Sequence, residues 1–157
     1  MKYLFLDIDG VLNTKSSLRN QIKETGQSSR FVWCEQACSN LQFLIREFDV
    51  RIVVSSTWKY EFSLEKLREL FGRNKINAAS VIDVTPGLLD ERRVTRAMEI
   101  AAWIKKNDAA KSTHIIIDDV DDGLSAHFEH VIKCDPNTGF ADPQLFQKCI
   151  NILSVKH

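Results

Sequence analysis

Apolar and polar positions fall into alternating blocks along the chain. Five short runs are apolar nearly throughout: Lys2–Leu6 (KYLFL), Val50–Val54 (VRIVV), 80–84 (SVIDV), 114–117 (HIII) and 130–133 (HVIK). Runs of this length without a polar face suit strands of a sheet that is covered on both sides. Between them the apolar residues change to helical spacing. Leu41, Leu44, Ile45 and Phe48 mark a helix over 34–48, and Leu64, Leu67, Leu70 and Phe71 a second over 64–71. Ala97, Ile100, Ala101 and Ile104 form one stripe of a third helix over 94–106, and 145–153 closes the chain as a fourth. Strand–helix alternation predicts an α/β fold, a Rossmann-like doubly wound parallel sheet of about five strands with helices on both faces. The most polar stretch, 13–30, reads as a long loop or flap, so that 14–33 is an insert in one domain spanning 1–157.

Composition narrows the picture only a little. A chain of 157 residues can bury roughly 70% of its unfolded surface, and needs no disulfide staple. Lys plus Arg number 21 and Asp plus Glu number 21, which leaves no global field to attract nucleic acid. No window approaches the ~20 apolar residues of a membrane span. The start lacks the basic and long apolar regions of a secretion signal. The expectation is a cytoplasmic protein with no membrane partner. Cys34 and Cys38, four apart in a helical pattern, could open a zinc site. The plainer reading of these two, with Cys134 and Cys149, is small buried hydrophobes in a reducing compartment, with no disulfide-linked partner. His114, His127, His130 and His157 have no Cys, Asp or Glu at metal spacing.

Candidate chemistry gathers at strand ends. Three of the runs stop at polar pairs: Asp7 with Asp9, Ser55 with Ser56, and Asp118 with Asp119. Parallel sheets bind ligands outside the carboxyl ends of their strands, so one fold would bring these segments to one mouth. Clustered carboxylates repel unless a cation neutralises them, and hard oxygen donors suit Mg2+. In Asp7-Ile8-Asp9-Gly10-Val11-Leu12-Asn13, period-two geometry puts both acids on one side, and Gly10 lets the backbone turn. One carboxylate can attack phosphorus while the other moves a proton. The competing reading is a surface D-x-D-G turn, or the metal motif of sugar transferases.

D-I-D-G-V-L-N resembles the first motif of the haloacid dehalogenase superfamily of phosphohydrolases. V-V-S-S-T-W resembles its second motif and I-I-I-D-D-V-D-D its fourth. V-T-P, R-A-M-E-I-A-A-W-I and T-G-F-A-D resemble the small phosphatase domains of multidomain RNA-repair proteins, and the likeness runs from Lys2 to about Leu153. The resemblance implies that Asp7 is the nucleophile and becomes an aspartyl-phosphate, with Asp9 the general acid and base. Ser55 would hydrogen-bond the phosphate, with Ser56 and Thr57 lesser candidates. Asp7, Asp9 (through its carbonyl), Asp118 and Asp119 would hold Mg2+, with Asp122 in an outer layer. The third motif calls for a Lys or Arg near a helix start. Arg92, Arg93 and Arg96 are the candidates, and Arg96 is favoured because it stands three residues before Glu99.

Neither the gap after the first motif nor the one over 59–80 is large enough for a cap domain. An uncapped mouth admits a phosphorylated polynucleotide end, with Lys15, Arg19, Lys23, Arg30 and Lys59 on its backbone. Those cations read equally as solvated loop charges. Trp58 could pack on a base or sugar, though core packing is the commoner use of such a ring. Trp103 reads as structural, and Trp33 is left open. A phosphatase for small metabolites or phosphoproteins, or a non-catalytic binding module of the same fold, are the alternatives.

Overall fold

A computed structural model describes residues 1–88 and 93–156. Five strands, β1 (Lys2–Leu6), β2 (Val50–Val54), β3 (Val81–Val84), β4 (Thr113–Asp118) and β5 (Val131–Lys133), form one sheet in the order β3-β2-β1-β4-β5. Every pairing is parallel. The order reverses direction between β1 and β4, and such a switch point opens a crevice at the carboxyl ends of the strands.

Among the described residues six α-helices accompany the strands: α1 (Lys15–Thr25), α2 (Glu35–Phe48), α3 (Leu64–Arg73), α4 (Arg96–Lys106), α5 (Leu124–His127) and α6 (Pro143–Leu153). Alternation along each strand sorts the core into two layers. Leu4, Leu6, Ile52, Val54, Ile115 and Ile117 face α2, α3 and α6, whose Leu41, Leu44, Leu67, Phe71 and Cys149 cover them. Phe5, Val53 and Ile116 face the other way, onto Ala97, Ile100 and Trp103 of α4 and Leu124 of α5. Full burial of a side chain the size of Leu or Phe contributes ~1.5–3 kcal/mol, so both layers hold the sheet firmly. No described helix is long and apolar enough to cross a membrane.

The polar stretch after β1 departs from the loop expected of it. Residues Lys15–Thr25 are helical although none of them is buried. Capping explains this, because no apolar face does. Thr14 Oγ1 accepts from Ser17 N–H at 3.1 Å, and Ser17 Oγ accepts from Thr14 N–H at 3.2 Å. At the other end Gly26 sits at φ 78, the left-handed position that closes a helix. The strap that follows is tied down by Asn74, which accepts from Trp33 N–H at 2.9 Å and donates to Phe31 O at 3.0 Å. The second gap is no cap either, since α3 is part of the core.

Candidate active site

The hydrogen-bond ladder continues one residue past the central strands. Asp7 N–H donates to Ile117 O at 3.0 Å, and Ser55 N–H donates to Leu6 O at 2.8 Å. Asp7, Ser55 and Asp118 therefore stand side by side at the carboxyl ends of β1, β2 and β4. By strand alternation they project to the side of Phe5, Val53 and Ile116, the side α4 covers.

The start of α4 brings a cation to this row. Thr95 Oγ1 caps the helix by accepting from Met98 N–H at 3.2 Å. Asp122 Oδ2 accepts from Arg96 N–H at 2.9 Å. Asp122 thus fixes the backbone of the helix start, a role its acidity alone does not reveal. Arg96 Nη1 then lies 3.1 Å from Asp7 Oδ1 and 2.9 Å from Asp118 Oδ2, and donates to Ser55 O at 2.6 Å. Arg93 is exposed, and Arg92 lies outside the described residues. Burial alone would weaken the charge on Arg96, but Asp7 and Asp118 outweigh it and hold the guanidinium firmly protonated.

One cation does not neutralise the cluster. Burial first, and then Asp118, push the Asp7 carboxyl up to about 8, against the pull of Arg96. Asp118 is pushed up to about 6, mainly by burial, with Arg96 and the Val120 N–H acting against it. Asp7, Asp118 and Asp119 each offer an oxygen within 4.8 Å of the others, an arrangement that could hold a metal ion. No other such group occurs among the described residues, so Cys34 and Cys38 gain no partners for zinc. Gly10 makes room for the trio. Its φ is +78, and a β-carbon there would run into the Asp119 carboxylate.

Asp9 is not one of the trio. Its Oδ1 accepts from Asn13 Nδ2 at 3.1 Å and its Oδ2 from Trp58 Nε1 at 2.8 Å. The turn carrying it is braced from behind by the T-G-F-A-D segment, to which the sequence assigns no job. Phe140 N–H donates to Val11 O at 2.9 Å, and Asn40 Nδ2 donates to Phe140 O at 2.9 Å. Gly139, at φ +57, has no space for a β-carbon beside Val11 O. Asn13, four residues after Asp9, is the one missed contact that the spacing of the first motif could have flagged.

Several side chains that the sequence offers to a substrate are used elsewhere. Trp58 is 1% exposed, enclosed by aromatic rings, and has no free face for a base. Lys59 Nζ is buried against Glu99 Oε2 at 2.5 Å and Thr85 Oγ1 at 3.0 Å, so it cannot track a nucleic-acid backbone. Arg30 pairs with Glu61 at 2.9 Å. Ser56 Oγ accepts from Trp58 N–H at 3.2 Å and starts the 3-10 turn Thr57–Tyr60. The buried Trp103 donates to Asp83 Oδ2 at 2.8 Å and the buried Trp33 to Arg30 O at 3.0 Å. Ser55 Oγ, by contrast, is buried without any hydrogen-bond partner among the described residues. An unmet buried hydroxyl costs ~1–3 kcal/mol, a cost that an acceptor at the mouth would relieve.

The raised carboxyls make a pH prediction. A carboxyl whose folded pKa lies above its unfolded value binds protons more tightly in the fold, so its stabilisation is lost as pH rises. For Asp7 the window runs from 3.8 to about 8. In chelator, the Tm should fall as pH rises from about 5 to 8, and Asp7→Asn should flatten that fall and raise the Tm at the upper end. A gain of about 1 kcal/mol corresponds to roughly 3 °C for a chain of this size. A metal-free Tm that rises with pH in this range, and is unmoved by the substitution, would contradict this charge balance.

A family profile described as the HAD domain in Swiss Army Knife RNA repair proteins matches residues 3–145. The matched span includes Asp7, Ser55, Arg96, Asp118 and Asp119. Searches of curated proteins and of solved structures gave no significant match.

Proposed function

The chain belongs to the family of HAD domains in Swiss Army Knife RNA repair proteins, and from that premise we propose that it is a Mg2+-dependent phosphatase acting on phosphorylated polynucleotide ends. The observation that carries this reading is the row of Asp7, Ser55 and Asp118 at adjacent strand ends, with Arg96 across it and Asp119 beside it. Three carboxylates without sulfur or imidazole fit a hard divalent cation. Asp7, Asp118 and Asp119 would hold it through carboxylate oxygens and Asp9 through its backbone carbonyl. When bound, the ion cancels charge that would otherwise keep an anionic nucleophile from an anionic phosphate.

The chain's own groups supply the rest. An Asp7 carboxylate oxygen attacks phosphorus, and the bond from phosphorus to the leaving oxygen breaks with its electron pair going to that oxygen. The Asp9 carboxyl gives its proton to the leaving oxygen and releases the alcohol. Water then attacks the aspartyl-phosphate, Asp9 takes up the water's proton, and the bond from phosphorus to Asp7 breaks to free phosphate and the carboxylate. Ser55 Oγ–H donates to a phosphate oxygen. Arg96 holds Asp7 in place and offers its remaining N–H groups to the phosphate. Hydrolysis of a generic aryl phosphate with Mg2+ is the first test, and no turnover would leave the fold as a binding module.

Support for a polynucleotide comes from α1. Lys15, Arg19 and Lys23 recur every four residues on this helix and are exposed, so they share one face. The helix is capped by Thr14, which follows Asn13, and Asn13 touches Asp9. A phosphorylated oligonucleotide should therefore show a higher kcat/KM than the matching mononucleotide. With two backbone phosphates contacted, a fourfold rise in salt should cost about sevenfold on the oligonucleotide. Lys15→Glu with Arg19→Glu should remove that preference and barely change the rate on an aryl phosphate. Equal rates on both nucleotide substrates, insensitive to salt and to charge reversal, would transfer the reading to small metabolites or phosphoproteins.

A further inference from the structure

Asp9 lies at the exposed mouth, yet neither of its carboxylate oxygens is free to turn. Asn13 donates to Oδ1 and Trp58 to Oδ2. The indole of Trp58 is itself locked. Ser56 Oγ accepts from the Trp58 backbone N–H. The Arg30 guanidinium lies 4.4 Å above the ring. Phe31, Trp33 and Phe62 close around it, with ring centroids at 6.0, 6.0 and 5.6 Å. An indole N–H is a donor only, fixed in the ring plane, so a locked ring gives a locked hydrogen bond. Trp33 and Trp103 spend their N–H groups on structural acceptors, whereas Trp58 points its own at the acid at the mouth. Proton transfer needs a donor within ~2.6–3.2 Å of its target, and an exposed carboxyl left to rotate would seldom meet that condition.

We propose that Trp58 is a positioning residue whose indole N–H holds the Asp9 carboxyl in the orientation from which its proton reaches the leaving oxygen. The proposal rests on the reading of Asp9 as the proton donor given above. A ring with a purely structural role would affect every substrate alike. A ring that positions the acid matters most where the leaving oxygen needs a proton. An alkoxide does, and a nitrophenolate does not.

The test compares wild type, Trp58→Phe and Asp9→Asn on nitrophenyl phosphate and on a simple alkyl phosphate, both with Mg2+. The readout is kcat/KM, which covers the steps up to loss of the leaving group. Trp58→Phe should lower kcat/KM on the alkyl phosphate at least about tenfold more than on nitrophenyl phosphate, within the ~10²–10⁴-fold that general acids contribute. Asp9→Asn should show the same bias, more strongly. If Asp9→Asn is biased and Trp58→Phe lowers both substrates equally, or neither, Trp58 only packs and the proposal falls while the reading of Asp9 stands. If Asp9→Asn shows no bias, the reading of Asp9 fails and takes the proposal with it. Should Trp58→Phe not fold, benzothienylalanine at position 58 fills the same volume with sulfur in place of N–H, and the same comparison decides.

Discussion

Asp7→Asn is expected to lower turnover by about four powers of ten or more, the usual cost of losing one member of an interdependent catalytic group. The change is close to isosteric, so the ladder bond from Asp7 N–H to Ile117 O is kept. Arg96 keeps its bonds to Asp118 and to Ser55 O. What disappears is the anionic oxygen that attacks phosphorus, and an amide oxygen is a poor substitute. Removing a buried, poorly neutralised charge should also leave the metal-free fold at least as stable as before. Rate and Tm measured on the same purified variant separate the two effects. A variant that keeps more than a few per cent of the wild-type rate would move the nucleophile to another residue.

Removal of the metal is the other large effect. Chelator should take activity to background and added Mg2+ should restore it, whereas Ca2+, with its larger and looser shell, should restore little. Asp118→Ala should raise the Mg2+ concentration needed for half activity by at least ~10-fold, since even residues behind the ligands cost that much in affinity. Ser55→Ala should instead act mainly on phosphate binding, because Ser55 offers a neutral buried hydroxyl without a hydrogen-bond partner among the described residues, not a carboxylate. Full activity in excess chelator would defeat the metal and the proposed mechanism together. The opposite order of the two variants would exchange their roles.

The sequence by itself determined the strands, and with them the mouth. β1 and β2 span Lys2–Leu6 and Val50–Val54, the same residues the apolar runs mark. Those runs end at Asp7 and Ser55, so a parallel sheet had to set Asp7, Ser55 and Asp118 in one row. Periodicity reports burial, and it was informative wherever an element buries a face. It said nothing of α1, which buries no residue and is held by its caps, although Thr14 and Gly26 were in view at either end. Contacts between distant segments were equally out of reach. Whether Trp58 faces a substrate or the core depends on a strap carrying Arg30, Phe31 and Trp33, folded over it from across the chain. Lys59 is withdrawn from solvent by Glu99, forty residues further on. Arg96 was singled out near a helix start by its place three residues before Glu99, but only the packing of α4 over the sheet put its guanidinium between Asp7 and Asp118. Residue type and spacing set what each side chain can do, and the tertiary structure decided which of them meet, because a hydrogen bond or ion pair requires two groups within about 3 Å of each other and the sequence holds no such distances.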